Sequence, residues 1–252
     1  MTQIDVHVGL TVLFCRGESV SDTGRGTTYD DVPADLLSGG FGPILAACRS
    51  LPIHVVGPRP KKSIDALLSG RLLVIGDDSD LNAVVLRVLR KDLLSSIEIA
   101  YAAATPTAVT GLYGLVTGPD SVRVAQHVDS AETPLLRSDS GGVLVGSAEI
   151  TPVNRTFYVD SQRVPGGRPR TILVQPESTQ GLMVTVTEQS RGWFDRVSHR
   201  KPTAYTGRAA EFGMTIGDGT TITFDGIRHP REVNRWVFYR HTEQLRLVRP
   251  FL

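Results

Sequence analysis

The sequence predicts two domains with a cleft between them: an α/β domain over residues 1–127 and an antiparallel β domain over residues 128–252. The first is expected to be three-layered and nucleotide-binding-like, with a parallel sheet, because apolar strand-like runs alternate there with helical patterns. The second is expected to be a β-sandwich or barrel, because short β-type runs are separated there by glycine-rich turns. A chain of 252 residues, 40% of them hydrophobic, is long enough to fill two such cores.

The predicted strands of the first domain are apolar runs. They lie at residues 6–14, 53–57, 72–75 and 97–101. The run Leu-Leu-Val-Ile at 72–75 has no polar alternation, which is typical of a strand in a parallel sheet covered on both faces. Helical patterns are predicted between these runs, near 32–37 or 43–50, at 63–68, from Leu81 to Leu89, and at 121–128.

The second domain is predicted to consist of short strands throughout. Its β-type runs lie at 142–150, 156–159, 171–174, 182–187, 209–215, 220–224, 236–239 and 245–248. Turn-forming sequences such as Pro165-Gly166-Gly167 separate these runs. We expect the aromatic side chains of Trp236, Phe238 and Tyr239 to anchor the core of this domain.

The charge balance and the targeting signals exclude several classes of protein. The chain carries 27 basic and 26 acidic residues, a formal net charge of +1, which argues against an electrostatic nucleic-acid binder. No apolar run reaches the ~18–20 residues that span a bilayer, and the first residues lack the basic and apolar segments of a secretory signal. The cysteines, Cys15 and Cys48, are too few for a disulfide framework or a structural zinc site. We therefore expect a cytoplasmic protein without a transmembrane segment.

An acidic loop joins the predicted strand at 72–75 to the helix that follows it. The loop consists of Gly76, Asp77, Asp78, Ser79 and Asp80, and Asn82 comes shortly after it. In open α/β sheets, ligands bind at the carboxyl ends of the strands, where a helix N-terminus attracts anions. Two interpretations are open at this stage. Either Asp80 caps the helix that begins near Leu81, or Asp78 and Asp80 supply oxygen ligands for Mg²⁺ or Ca²⁺.

Two further segments are candidates for anion binding. The Gly-, Ser- and Thr-rich segment from Arg16 to Thr28 either binds phosphate through its backbone N–H groups or is a surface loop without a ligand. A set of basic residues near the C-terminus forms either an anion- or lipid-headgroup-binding patch or a solvated face. This set is Arg228, His229, Arg231, Arg235, Arg240, His241, Arg246 and Arg249.

Residues 72–89 resemble the strand, loop and helix of the diacylglycerol kinase catalytic-domain family, a motif that lipid kinases share with sphingosine kinases and NAD kinases. The family's loop reads Gly-Gly-Asp-Gly-Thr and is followed by x-Asn-Glu. Gly76, Asp78 and Asn82 match its first Gly, its Asp and its Asn. The resemblance continues in the family's order to the C-terminal strand and covers roughly residues 70–252. The chain is similar to an actinobacterial-type member whose nucleotide-loop motifs are degraded.

The resemblance implies an ATP- and Mg²⁺-dependent transfer of the γ-phosphate to a lipid hydroxyl, with a lipid or small-molecule ligand in the interdomain cleft. It implies that Asp78 organises the Mg²⁺ ion, and the acidic loop offers Asp80 as a second candidate metal ligand. The nucleotide is expected to contact Gly76, Asp77, Asp78, Ser79, Asp80, Asn82, Thr105 and Thr107. Peripheral membrane contact and a homodimer are compatible with this expectation.

The nucleotide loops depart from the family's pattern in ways that bear on ATP binding. Asp77, Ser79 and Asp80 stand where the family has Gly, Gly and Thr. A carboxylate ~4 Å from a phosphate charge costs about 4 kcal/mol at an effective dielectric constant of ~20. The second nucleotide loop, near residues 102–107, lacks the family's Gly, Asn and Asp. These changes predict weaker ATP binding than in the family.

The position of the family's catalytic base is also changed. The Glu of the family's Asp-Gly-Glu turn, which accepts the proton of the attacking hydroxyl, is Ile227 in this chain. Asp225 then remains the candidate catalytic carboxylate, although Asp225-Gly226 is also an ordinary hairpin-turn sequence. Loss of a general base removes ~10²–10⁴ in rate.

Three functional hypotheses follow from these residues. The first is an active lipid kinase in which Asp78 organises Mg²⁺. The second is a pseudokinase-like relative with reduced or lost activity that keeps the fold and binds a ligand or a partner. The third is a structural protein whose β domain mediates oligomerisation. The departures at the loops and at Ile227 favour the second hypothesis on mechanism.

Overall fold

The computed structural model describes residues 9–16, 28–166, 170–188, 202–214, 219–231 and 233–250. The chain divides into two compact units. The α/β unit comprises Met1–Thr133 and Glu243–Leu252, and the β unit comprises Pro134–Thr242. Among the described residues, no helix combines the length and the apolar character that a membrane crossing requires.

A six-stranded sheet forms the centre of the α/β unit. Its strands are β1 (Leu10–Phe14), β2 (Ile53–Val55), β3 (Arg71–Ile75), β4 (Glu98–Ala102), β5 (Ser130–Thr133) and the last strand of the chain, β18 (Leu245–Val248). They lie in the order β2-β1-β3-β4-β18-β5, and every neighbouring pair is parallel except β18 with β5. The helices are α1 (Ala34–Leu37), α2 (Gly42–Ala47), α3 (Asp78–Arg90), α4 (Ala108–Tyr113) and α5 (Asp120–His127), with 3-10 turns at Tyr29–Asp31 and Lys62–Leu67.

Strand β3 is buried along its whole length, as the absence of polar alternation predicted. On one face of the sheet, Leu73 and Ile75 belong to a core cluster that includes Ile44 of α2 and Val122 of α5. On the other face, Val74 is fully buried as well. The prediction of a strand covered on both faces is therefore confirmed. Because β3 is third in the order of six strands, its carboxyl end lies near the middle of one edge of the sheet.

The predicted boundary at residue 127 differs from the structure. Strand β5 was assigned by sequence to the second domain, as was β18, yet both belong to the sheet of the α/β unit. The reason is physical: a run of four alternating residues, such as Leu-Arg-Leu-Val in β18, is compatible with any sheet. Which sheet it joins depends on hydrogen-bonding partners that are remote in sequence.

The described residues of the β unit form two six-stranded antiparallel sheets, which confirms the predicted strand type of the second half. One sheet has the order β10-β9-β14-β17-β6-β7 and the other β13-β12-β11-β8-β15-β16. In chain order the strands are β6 (Leu136–Ser138), β7 (Val143–Leu144), β8 (Ala148–Val153), β9 (Phe157–Val159), β10 (Gln162–Val164), β11 (Arg170–Glu177), β12 (Gly181–Glu188), β13 (Thr203–Gly207), β14 (Ala209–Gly213), β15 (Thr221–Phe224), β16 (Ile227–Arg228) and β17 (Arg235–Arg240).

One hydrophobic cluster draws residues from both sheets of the β unit. Trp236 and Phe238 of β17 are buried in it, as predicted, whereas Tyr239 is only half-buried. The rings of Phe157 and Phe212 lie 5.2 Å apart between their centroids in the same cluster. Alternation of buried and exposed residues along strands such as β11 is what a sheet with one covered face requires.

A partly buried ion-pair network connects β18 to its neighbours in the α/β sheet. Arg71 of β3 donates from Nε to Oε2 of Glu98 on β4 at 2.7 Å and from Nη1 to the Ala125 carbonyl at 2.8 Å. Arg246 of β18 donates to Oε1 of the same carboxylate at 2.6 Å, and the Ser130 hydroxyl donates to it at 2.7 Å. Glu98 therefore joins four strands of the sheet through one side chain.

Replacing Glu98 with glutamine is expected to lower the free energy of unfolding by about 1–2 kcal/mol at neutral pH, because the charge is lost while one acceptor oxygen remains. Desolvation raises the pKa of Glu98, but hydrogen bonds from Ser130 and Arg71 and the charges of Arg71 and Arg246 outweigh it and hold the pKa below its ordinary value. A lowered pKa stabilises the fold above the unfolded-state pKa of about 4.3 and ceases to do so as pH falls through the folded-state value.

Urea unfolding of wild type and Glu98→Gln across a pH series measures this effect. The difference in free energy of unfolding should be constant near neutral pH and should shrink in acid, below about pH 4. A difference that stays unchanged into strong acid would show that the Glu98 charge does not stabilise the sheet.

Candidate functional site at the carboxyl ends of the parallel strands

The acidic loop lies where open α/β sheets bind their ligands. The chain passes from β1 outward to β2 and then returns to place β3 on the other side of β1, so the order reverses at the carboxyl ends of β1 and β3. Arg16 follows β1 there, residues 76–80 follow β3, and residues 103–107 follow β4. The structure thus brings the two predicted nucleotide loops to one edge of the sheet.

Gly76 makes room for a carboxylate of the chain itself. A Cβ atom at this position would lie 2.5 Å from Oδ2 and 3.0 Å from Cβ of Asp80, which is closer than such atoms approach. A glycine in a phosphate-binding loop allows the backbone to approach phosphate oxygens closely. In this structure its missing side chain allows Asp80 to fold back over the start of α3.

Asp80 is buried, with only 1% of its surface exposed, and both of its oxygens accept backbone hydrogen bonds. Oδ1 accepts from the Arg59 N–H at 2.7 Å, and Oδ2 accepts from the Asp77 N–H at 2.9 Å. Burial raises the pKa of Asp80, and these two bonds and the charge of Arg16 oppose that rise only in part. The carboxylate ties the loop after β2 to the loop after β3.

The predicted capping role of Asp80 is correct in kind but not in position. Helix α3 begins at Asp78 rather than near Leu81, and Asp77 is its N-cap residue. Asp80 is therefore the third residue of the helix, and its side chain reaches back to the N-cap N–H as in a capping box. The bond to Arg59 goes beyond capping, because Arg59 lies outside the helix.

Asp78 is half-buried and binds a different set of groups. Its Oδ1 accepts a hydrogen bond from the Tyr101 hydroxyl at 2.9 Å, and its Oδ2 accepts from the Val109 N–H at 3.2 Å. Val109 lies in the first turn of α4, whose start the carboxylate therefore helps to satisfy. Burial and then the charge of Asp78 raise the pKa of Tyr101, so its phenol remains a donor. Sequence reasoning missed Tyr101 and Arg59, because neither carries a motif.

The remaining predicted contact residues surround these two carboxylates. Thr107 is the N-cap of α4: its hydroxyl accepts from the Thr110 N–H at 3.2 Å, and its own N–H donates to the Thr110 hydroxyl at 2.7 Å. Thr105 is exposed, whereas Ser79 and Asn82 on α3 are half-buried. The second loop is thus organised by a threonine cap in place of the family's Gly, Asn and Asp.

One cation adjoins the loop. Arg16 forms an ion pair with the exposed carboxylate of Asp77, and its guanidinium lies 5.2 Å from the centroid of the Phe41 ring. The rest of the candidate phosphate-binding segment, residues 17–27, lies outside the described residues. Within the described residues, the charge of Arg16 is therefore directed at a side chain of the loop itself.

The predicted metal pair does not form a shared ligand set. Asp78 holds Tyr101 and α4, whereas Asp80 holds Arg59 and the helix N-cap. In the described part of the chain, no group of three or more His, Cys, Asp or Glu side chains is arranged to hold a metal ion. The donor set does not fit a Mg²⁺ ion bridged by both carboxylates.

Asp225, the candidate catalytic carboxylate, is buried in the turn between β15 and β16, with 1% of its surface exposed. Its Oδ1 accepts from the N–H groups of Gly146 and Ser147 at 2.8 and 3.0 Å, and its Oδ2 accepts from the Val145 N–H at 3.0 Å. Ile227 follows on β16 and offers only hydrocarbon. The contacts of Asp225 are those of a residue that fixes a turn.

Comparison with known proteins identifies the fold. No protein-family model and no curated protein match the chain. Among solved structures, it is similar to a putative diacylglycerol kinase from Bacillus anthracis str. Sterne, with a TM-score of 0.60 and 8% identity over 99% of this chain and 98% of that one. A second putative diacylglycerol kinase structure from that organism gives a TM-score of 0.61 at 9% identity, covering 98% of each chain.

An NAD kinase from Archaeoglobus fulgidus in complex with ATP is similar as well, with a TM-score of 0.51 and 12% identity over 95% of this chain and 93% of that one. At such identities the likeness shows a shared fold. The predicted resemblance to diacylglycerol and NAD kinases is confirmed at that level.

Proposed function

We propose that this protein has the fold of a diacylglycerol-type lipid kinase but that its ATP-dependent phosphoryl transfer to a lipid hydroxyl is strongly reduced or lost. The observation that carries the proposal is the use of the loop's own carboxylates as hydrogen-bond acceptors. Asp80 takes the N–H groups of Arg59 and Asp77, and Asp78 takes that of Val109. These backbone donors surround the sheet edge at which a nucleotide phosphate would need them.

Electrostatics support the proposal independently. Asp77, Asp78 and Asp80 bring three carboxyl groups to one helix N-terminus, and Arg16 already pairs with Asp77. At about 4 Å each such charge would oppose a phosphate by about 4 kcal/mol at an effective dielectric constant of ~20. Without a cation between them, one such repulsion offsets the attraction of several backbone N–H groups.

The residues at the position of the catalytic base also support the proposal of reduced or lost activity. Ile227 cannot accept a proton, and Asp225 is held by three backbone N–H groups in a buried turn. A hydroxyl nucleophile would therefore have no positioned base at either residue, which removes ~10²–10⁴ in rate. Loss of ATP binding and loss of the base act on the same reaction, and together they favour a protein that binds a ligand or a partner without turnover.

A second candidate, an active lipid kinase, is favoured by one observation. Asp78 matches the family's loop Asp and is only half-buried, so its carboxylate remains near solvent at the sheet edge. In that case Mg²⁺ would be held by Asp78 without Asp80. The two candidates differ in whether Mg²⁺ and ATP bind at all.

Calorimetric unfolding with millimolar Mg²⁺ and ATP tests the proposal. A ligand present at 100 times its Kd stabilises a protein by about 2.7 kcal/mol, so binding is readily detected. We expect no change in the unfolding temperature of the wild type. A saturable rise that requires both Mg²⁺ and ATP would contradict the proposal and support the active kinase.

Charge-removing variants sharpen this test. Asp77→Asn keeps a good N-cap residue but removes the charge that pairs with Arg16, so it should respond to ATP more than the wild type does. Asp120→Asn is the matched control, because Asp120 is also an exposed acidic residue in the first turn of a helix and pairs with Arg123. An equal response of both variants would mean that the loop charge does not control ATP binding.

A further inference from the structure

The β unit contains a pocket of about 260 Å³ at β15, β16 and the turn that follows them. Arg228, His229 and Arg231 line it together with Thr220 and Thr221. Pockets for drug-sized ligands have volumes of about 300–1,000 Å³, so this one suits a single small group. It lies away from the acidic loop in sequence and belongs entirely to the β unit.

The lining of this pocket is cationic. Arg228 and Arg231 are both exposed, and none of the described residues that line the pocket is acidic. Among the described residues, neither arginine has a carboxylate within ion-pair distance, in contrast to Arg235, which pairs with Glu211 at 2.8 Å. Two guanidinium groups at one small pocket, neither of them paired with a carboxylate of the described residues, favour an anion with several acceptor oxygens, since guanidinium binds such groups with two parallel bonds.

His229 is held in place at the wall of the pocket. Its ring lies edge-on to Trp236, with centroids 4.8 Å apart, and its Nδ1 lies 2.7 Å from the Arg231 carbonyl oxygen. A carbonyl oxygen can only accept, so this short contact favours the tautomer with its proton on Nδ1 over the 3.4 Å contact that the Arg231 N–H makes with the same nitrogen. In that tautomer Nε2 is the nitrogen left for a ligand. A protonated imidazole would then donate to an anion through Nε2.

The hydroxyl groups of the two threonines in the pocket donate to backbone carbonyls and not to a ligand. The Thr220 hydroxyl donates to the Pro152 carbonyl at 2.8 Å, and the Thr221 hydroxyl donates to the Thr151 carbonyl at 3.3 Å. Their protons are therefore committed to β8. Of the residues that line the pocket, this leaves Arg228 and Arg231 with side-chain donors, joined by His229 when its imidazole carries a second proton. This distribution distinguishes a site for an acceptor-rich anion from a general polar pocket.

We infer that this pocket binds a phosphomonoester group through Arg228, Arg231 and His229. The inference is independent of the proposed loss of kinase activity, because the residues belong to a different unit from the acidic loop. The same chemistry is offered by a soluble phosphomonoester and by the headgroup of a lipid such as phosphatidic acid. The test therefore contains one arm for each source.

In the first arm, glycerol 3-phosphate is titrated into the full chain by isothermal titration calorimetry. In the second, sedimentation is compared for phosphatidylcholine vesicles with and without phosphatidic acid. Arg228→Gln and Arg231→Gln should each weaken binding about tenfold or more, because each removes a charge-assisted bond. Arg163→Gln on β10 is the matched control, since it removes the same charge from an exposed residue of the same unit.

Binding in the first arm supports the inference and identifies a soluble phosphomonoester as a sufficient ligand. Binding confined to the phosphatidic acid vesicles also supports it and identifies a lipid headgroup as the source. No binding in either arm overturns it. Binding that Arg228→Gln and Arg231→Gln weaken no more than Arg163→Gln overturns it as well, because the attraction would then be one of net charge and not of this pocket.

Discussion

Replacing Asp225 with alanine is expected to lower the free energy of unfolding by about 3–5 kcal/mol. The side chain is buried and accepts hydrogen bonds from three backbone N–H groups, those of Val145, Gly146 and Ser147. Alanine would leave these donors buried without that acceptor, and each such donor costs about 1–3 kcal/mol. Asp225 also has a φ of 45°, which aspartate tolerates better than alanine.

Asp160→Ala is the matched control for this experiment. Asp160 likewise has a positive φ, 50°, and accepts hydrogen bonds from the N–H groups of Arg208 and Ala209, but it is exposed. Because water can replace its carboxylate, the loss of stability should be clearly smaller. Urea unfolding of both variants measures the difference. Equal effects, or an unchanged stability of Asp225→Ala, would contradict the structural role of Asp225.

Replacing Asp80 with alanine is expected to lower the free energy of unfolding by about 2–4 kcal/mol. This exceeds the ~1 kcal/mol of an ordinary helix cap, because the carboxylate is buried and binds two backbone N–H groups. One of these N–H groups belongs to Asp77, the N-cap residue of α3, and the other belongs to Arg59 in the loop after β2. The variant should therefore loosen two loops at once.

Amide hydrogen exchange separates this effect from a general loss of helix stability. In Asp80→Ala, the amides of Arg59 and Asp77 should lose protection more than those in the middle of α3. Asp120→Ala in the first turn of α5 is the control, because Asp120 is exposed and its only described ion pair is with Arg123. A stability loss no greater than that of the control, with both amides still protected, would contradict the role assigned to Asp80.

Local patterns predicted much of the fold. The unbroken apolar run of β3 predicted a strand buried on both faces, and the aromatic residues Trp236 and Phe238 were correctly predicted to lie in the core of the β unit. The sheet to which β5 and β18 belong was not predictable in the same way. Strand β18 pairs with β4 and β5, which both lie far from it in sequence, and such pairing depends on the complete fold.

The candidate site divides along the same line. The acidic residues and the helix start were visible in the sequence, and a capping role for Asp80 was predicted from local preference. The hydrogen-bond partners that decide the roles of the other aspartates were not visible in the sequence. Tyr101 is 23 residues from Asp78, and the N–H groups that hold Asp225 are 78 to 80 residues from it. An aspartate in a loop reads the same in sequence whether it binds a metal ion or its own backbone.

Asp80 occupies the space beside Gly76 in the loop after β3. The family's glycines leave space and free N–H groups for phosphate, whereas Gly76 here leaves space for Asp80. Removal of a charge, as in Asp77→Asn, would then restore ATP binding only in part. The backbone donors of Arg59 and Asp77 would have to be released from Asp80 without loss of the loop structure that they stabilise.

The most direct test is transfer of radiolabelled γ-phosphate from ATP to diacylglycerol and other lipids in mixed micelles with Mg²⁺. We expect transfer that is undetectable or far below ~1 s⁻¹, the lower end of ordinary enzyme turnover. The reasons are that Asp78 and Asp80 take backbone N–H groups at the candidate site and that Ile227 stands where the family that the sequence resembles has Glu. A turnover above about 1 s⁻¹ with any of these lipids would contradict this expectation.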